Sequence, residues 1–168
     1  MVHLRATGKV LRSLTLSEPD DTPSDTALGD WYVNRVVIDR IPILVMVSSA
    51  SLLPILLRAR DVRRLPDILP EVVRARLHRL GVSPALIDAE VEAMDPVRVS
   101  KTRDRSVLGI LVDFGRLLPH YLPRGWNEGD FVEAEGKLQT TPCYCSSSAR
   151  EVVVPDRDTL ALLGDGRS

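Results

Sequence analysis

The segment Lys101-Thr102-Arg103-Asp104-Arg105-Ser106 places three cations and two hydroxyls directly ahead of an amphipathic run that continues to His120. The first turn of a helix exposes unpaired backbone N–H groups at the positive end of its dipole. Cations and hydroxyls gathered there have the chemistry of an anion site. Lys101, Thr102, Arg103, Arg105 and Ser106 are therefore the leading binding candidates, with Gly109 permitting close approach. Val107, Ile110, Leu111, Phe114, Leu117 and Leu118 form the apolar stripe of the run, while Ser106, Gly109, Asp113, Arg116 and His120 share the opposite face. A serine, an aspartate and a histidine on one face have the composition of a hydrolytic triad. The separation of Ser106 from His120, about 21 Å along a helix axis, is far beyond the hydrogen-bond reach that a triad needs. A triad is excluded. Asp113, about 10 Å along the axis from Ser106, is the acid or base that an enzyme acting on an anionic substrate would require. The plain structural reading of the same residues is an N-capping Ser106, an Asp113–Arg116 surface pair and solvated arginines.

Three other groups carry chemical potential. Trp31 and Asn34 follow the loop sequence Leu28-Gly29-Asp30. An aromatic there lines a pocket or begins a buried strand, and Asn34 is a polar group able to point into a cleft. The stretch from Arg58 to Arg79 holds Arg58, Arg60, Arg63, Arg64, Arg74, Arg76 and Arg79 against Asp61, Asp67 and Glu71. The next segment reverses the sign with Asp88, Glu90, Glu92 and Asp95, so intramolecular pairing competes with a patch for nucleic acid or an acidic partner. No aromatic residues are interleaved there, which argues against stacking of single strands. Cys143 and Cys145 read as ordinary thiols: an extended chain sets them near the limit for a disulfide. His3, His78 and His120 stand at no recognised zinc spacing, so no metal is expected. Neither a Gly-x-Gly-x-x-Gly nor a Walker-type run occurs, and no cofactor is expected.

Composition sets the bounds on these readings. The 168 residues form most simply one domain, and 44% hydrophobic with 27% charged content is ordinary for a globular chain. With 22 basic and 23 acidic side chains the formal charge is −1, so global charge gives nucleic-acid binding no help. The N-terminus lacks an apolar signal region, and sparse cysteine fits a reducing, cytoplasmic setting. Ile41 to Leu57 is free of charge, but Pro42, Pro54 and Ser48-Ser49-Ala50-Ser51 break it into buried strands rather than a membrane span.

The elements that must position the candidates follow from periodicity. Strands are expected at Leu4–Ala6, Trp31–Asp39, Ile41–Ser48, Leu53–Leu57, Val97–Ser100 and Val152–Val154. Ile43, Val45 and Val47 alternate with Leu44 and Met46, so the third of these is apolar on both faces and central. Helices are expected from Thr7 through Leu14, over Asp67–Leu80 with Gly81 as stop, from Ser83-Pro84 to Met94, over Ser106–His120 and over Phe131–Leu138, with a last turn at Thr159–Leu163. Ser17 to Asp30 is rich in Pro, Asp, Thr and Gly and reads as a mobile loop, and Gly164–Ser168 as a frayed end. The expectation is a single α+β domain: a small, mostly antiparallel sheet packed by several helices.

Leu28-Gly29-Asp30-Trp31-Tyr32 with Asn34, Ser51-Leu52-Leu53-Pro54, and Arg105-Ser106-Val107-Leu108-Gly109 with Asp113 resemble an uncharacterised bacterial family, a domain of unknown function. The matching blocks are scattered over most of the chain. The family pattern carries an Asn before the Asp, where this chain has Val112. The resemblance implies a compact bacterial cytoplasmic domain, and it carries over neither an activity nor catalytic residues. Two functional classes follow from the residues. One is a non-catalytic binding or regulatory module that uses the cationic helix start on nucleic acid or a protein partner. The other is a small enzyme acting on a phosphorylated or carboxylated substrate.

Overall fold

Alternating apolar residues set two long strands side by side, β2 (Trp31–Ile38) and β3 (Ile41–Ser48). The Asp39-Arg40 pair turns the chain between them, both residues at positive φ (52° and 66°), as a two-residue hairpin requires. The computed structural model describes residues 1–144 and 152–165. In it β4 (Pro54–Arg58) continues the antiparallel ladder beside β3, while β1 (Val2–Ala6) lies parallel to β2 and β5 (Val97–Lys101) lies parallel to β1. The sheet order is β4-β3-β2-β1-β5. The expected α+β architecture holds, and the sheet is mixed, its antiparallel half being β2 to β4.

Both faces are covered, as the two-sided apolarity of β3 requires. Val2, Leu4, Trp31, Val33, Leu44 and Met46 meet α1 (Gly8–Leu11), α2 (Leu65–Leu80) and α3 (Pro84–Glu92) on one face. Tyr32, Ile43, Val45 and Val47 meet α4 (Arg105–Tyr121) and α5 (Phe131–Leu138) on the other. A short pair, β6 (Cys143–Tyr144) and β7 (Val152–Val153), leads into α6 (Pro155–Leu163). Cys145 and the end of the tail lie outside the described residues. Helix α1 stops at Leu11, three residues short of the expected end. The Thr7 hydroxyl does not cap it but donates to Asn34 Oδ1 at 2.8 Å.

The loop from 17 to 30 is laid along β1 and β5. Ser17 exchanges hydrogen bonds with both backbone groups of Val99, and Ser24 Oγ accepts from His3 N. His3 is fully buried, with Nδ1 2.8 Å from Ser100 Oγ and Nε2 2.7 Å from the Thr22 carbonyl. A carbonyl only accepts, so Nε2 carries the proton. Gly29 sits at φ +74°, and a Cβ there would lie 2.4 Å from Ser49 Oγ, so both backbone and space demand glycine. Below the loop, Glu90 is buried and accepts from Ala27 N and Leu28 N, and among the described residues no ion pair involves it.

At the opposite edge Glu135 joins the two layers around β4. It accepts from Leu56 N at 2.9 Å and from Arg79 Nη2 at 2.9 Å, with Arg76 Nε 3.8 Å away. Arg76 in turn donates to the Pro54 carbonyl and to Gln139. Burial lowers the Arg76 pKa, with the Glu135 charge opposing that shift.

Two outcomes are expected from these buried charges. Glu135→Ala removes the one carboxylate within ion-pair distance of Arg76 and Arg79 among the described residues, and should cost about 3–5 kcal/mol in denaturant unfolding. A loss under 1 kcal/mol would mean the clasp is dispensable. Burial raises the Glu90 carboxyl above its ordinary value, against the two backbone donors that lower it. Its contribution is therefore full below the ordinary carboxylate range and is lost as pH rises through the elevated value. Thermal melts across that window should show this decline in the wild type and its absence in Glu90→Gln; an opposite slope would contradict the assignment.

Candidate functional site

Parallel strands end together, and ligands of α/β sheets sit beyond those ends where neighbouring connections leave toward opposite faces. Here β1 and β5 are such a pair. Ala6 registers with Lys101 on one side and with Val33 on the other. The chain leaves β1 through Thr7 into α1 on one face, and leaves β5 through residues 102–104 into α4 on the other. The crevice that such diverging exits leave beyond the strand ends is, by the strand register, flanked here by Thr7, Asn34 and residues 101–106. The sheet thus brings Lys101, Thr102, Arg103, Arg105, Ser106 and Asn34 to one end of the molecule.

The floor beneath this end is a buried polar chain. Arg5, 5% exposed, pairs through Nε with Asp30 Oδ2 and donates from Nη1 to the Lys101 carbonyl at 2.9 Å. Ser24 Oγ donates to Asp30 Oδ1 at 2.6 Å. Tyr32 Oη accepts from Asp104 N at 3.2 Å, and burial raises the Tyr32 pKa. The loop that carries the cations is therefore held at both ends, by Arg5 at Lys101 and by Tyr32 at Asp104.

The helix start itself is organised differently from the sequence reading. Asp104, not Ser106, is the N-cap of α4: its Oδ1 accepts from Ser106 N at 2.9 Å and Val107 N at 3.2 Å. The chain's own carboxylate already occupies these amides. An anion approaching here meets the side chains of Lys101, Arg103 and Arg105, all exposed, before it meets free backbone N–H groups. Beside them Gly109 is open, with nothing within 4 Å of where a Cβ would stand.

Two of the expected binding residues lie elsewhere. Trp31 is fully buried in the core under α2 and α3, because odd-numbered residues of β2 face that layer. Asp113 is exposed, pairs with Arg116 at 3.9 Å and lines a separate recess with Phe114 and Thr141. Val112, in the place of the family's Asn, is 40% exposed on α4. The motif blocks around Leu28–Tyr32 and Ser51–Pro54 have structural work: Leu52 sits at φ +61°, and the buried Ser51 hydroxyl bonds to Ser48 and Thr159.

The Arg58–Arg79 stretch resolves mainly into ion pairs. Arg58 and Arg60 meet Glu128, Arg64 meets Asp61, Arg74 meets Glu71 and Asp88, and Arg76 and Arg79 meet Glu135. In contrast, among the described residues no ion pair involves Lys101, Arg103 or Arg105. The same is true of Lys9, Arg12 and Arg35, which line a recess of about 740 Å³ at the same end of the sheet. Sequence reasoning missed this second group. The signal available was Lys9 and Arg12 at i,i+3 spacing after β1, which gains meaning only once β1 is known to end beside β5.

Among the described residues no group of three or more His, Cys, Asp or Glu is placed to hold a metal, and no helix is long and apolar enough to cross a membrane. No curated protein and no solved structure matches the chain. A family model described as a domain of unknown function (DUF6933) matches residues 3–158. That match runs from His3 in β1 to Asp158 in α6, taking in the whole crevice and the loop that carries its cations, and the chain belongs to the DUF6933 family.

Proposed function

We propose that the protein is a non-catalytic binding module for an anionic partner, using Lys101, Arg103 and Arg105 at the crevice between the ends of β1 and β5. The observation that carries this reading is the separation of charge. Most arginines between 58 and 79 are neutralised within the fold, whereas the exposed cations of the crevice have no ion-pair partner among the described residues. Cations without an ion-pair partner, on a loop whose backbone is anchored at both ends beyond a sheet's carboxyl end, are an arrangement that takes up phosphate or carboxylate.

The enzymatic alternative needs a carboxylate or other acid–base group facing the cations. Asp104 is committed to the α4 cap, Asp113 faces a different recess, and Asp30 is paired with Arg5. These placements favour binding over turnover. A cytoplasmic setting accords with the sparse cysteine content.

Titration of the ¹⁵N-labelled protein with inorganic pyrophosphate and with a short DNA duplex should shift the amides of residues 101–107 first. Arg103→Ala combined with Arg105→Ala should weaken association with the duplex about tenfold or more at moderate salt without altering the melt. Asp104→Asn keeps an oxygen for the cap yet removes the nearest negative charge, and should strengthen binding roughly two- to fivefold. Shifts scattered over the surface, or a double variant that binds like wild type, would refute the reading.

A further inference from the structure

The second group of cations extends the crevice rather than forming a site of its own. Lys9 and Arg12 lie one turn apart at α1, and Arg35 faces them from β2, with Ser13, Val36 and Val37 completing the recess. No acid lines it. All three cations are exposed and without an ion-pair partner among the described residues. The recess is tied to the crevice by one backbone and one side-chain hydrogen bond: Thr7 N donates to the Val33 carbonyl, and Thr7 Oγ1 to Asn34 Oδ1, next to Arg35.

Lys101 links the two groups. Val97 packs toward the α1 layer, so strand alternation sends Lys101 to that side as well, in register with Ala6, which belongs to the same layer. Arg103 and Arg105 then follow the chain over the sheet's end to the α4 side. The cations thus form one track, Arg35–Arg12–Lys9–Lys101–Arg103–Arg105, across both layers. With a helix about 10 Å in diameter on each face of the sheet, this track spans roughly 20 Å. A single phosphate or pyrophosphate covers only one end of it. An extended polyanion covers all of it.

We infer, resting on the anion-binding reading above, that the partner is a nucleic-acid duplex gripped by its phosphate backbone along this track. Thr7, Ser13, Asn34 and Thr102 stand among the cations, and hydroxyl and amide side chains are the usual companions of Arg and Lys on phosphates. Unpaired bases would need aromatic platforms. The aromatic residues nearest the track, Trp31 and Tyr32, are both buried, which favours a duplex over a single strand. The overall charge of −1 does not oppose this, because net charge does not fix how charge is distributed over the surface, and Asp104, the acid between Arg103 and Arg105, is engaged by the amides of the α4 cap.

The test is anisotropy of a labelled 20-base-pair DNA duplex over a range of salt, with wild type, Arg103→Ala/Arg105→Ala, and Lys9→Ala/Arg12→Ala/Arg35→Ala. All substituted residues are exposed, and melts confirm folding. Each phosphate contact contributes about 0.9 to the slope of log affinity against log salt. The triple variant should therefore lose about two to three units of slope, the double variant about two, and affinity should fall at least tenfold in each. A triple variant with wild-type slope, beside a double variant that no longer binds, would overturn the track while leaving the anion-binding module standing. Absence of binding to duplex and to pyrophosphate alike would overturn both. Tighter binding to single-stranded DNA, or displacement by poly-glutamate as effective as by unlabelled duplex, would overturn the duplex assignment.

Discussion

A guanidinium buried against a carboxylate, Arg5 on Asp30, fixes the part of the molecule on which the rest depends. Arg5 comes from β1, which lies between β2 and β5, and Asp30 is the residue just before β2. The second arm of Arg5 reaches the carbonyl of Lys101 at the end of β5. One side chain therefore sets three parallel strands relative to one another and anchors the loop that bears the cations. Two charges withdrawn from water gain little net stability from each other, since desolvation offsets most of the attraction. Their value here is positional: a neutral pair would leave the Lys101 carbonyl without its donor and the start of β2 without its anchor.

The antiparallel half of the sheet could be read from the chain because its determinants are local. The two-sided apolarity of Ile43–Val47 and the two-residue turn at Asp39-Arg40 specify β2 and β3 within twenty residues of each other. The parallel half could not, because β1 meets β5 across more than ninety residues and nothing in Val2–Ala6 announces that partner. The same gap governed the site. Lys101 to Ser106 stood out by composition, whereas Lys9, Arg12 and Arg35 became neighbours of that segment only through the long-range register. The cap was misassigned for a different reason. Asp104 and Ser106 are both good N-caps, and the choice between them depends on Tyr32, which holds the Asp104 amide from another strand.

Charge in this protein is sorted by function rather than balanced residue by residue. Arg58 to Arg79, an arginine-rich run of the sequence, is spent largely on internal partners that bind α2 to α3 and α5, and the end of β4 to the turn before α5. Six of the cations left to face solvent, Lys9, Arg12, Arg35, Lys101, Arg103 and Arg105, are widely spaced in sequence, yet they gather toward the carboxyl end of the parallel strands. A near-zero sum thus conceals an uneven distribution, with the dense stretch largely paired inside the fold and the sparse one left at the surface.

The treatment of the two sheet edges has a consequence for the behaviour of the chain at high concentration. On β4, the Leu56 amide and the Pro54 carbonyl are taken by Glu135 and Arg76, and on β5 both backbone groups of Val99 are taken by Ser17. An exposed edge is a template on which other chains add strands and aggregate. Here both templates are occupied by the molecule's own groups, one through buried charge and one through a serine on the loop. The five-stranded sheet is closed to growth by strand addition at these positions.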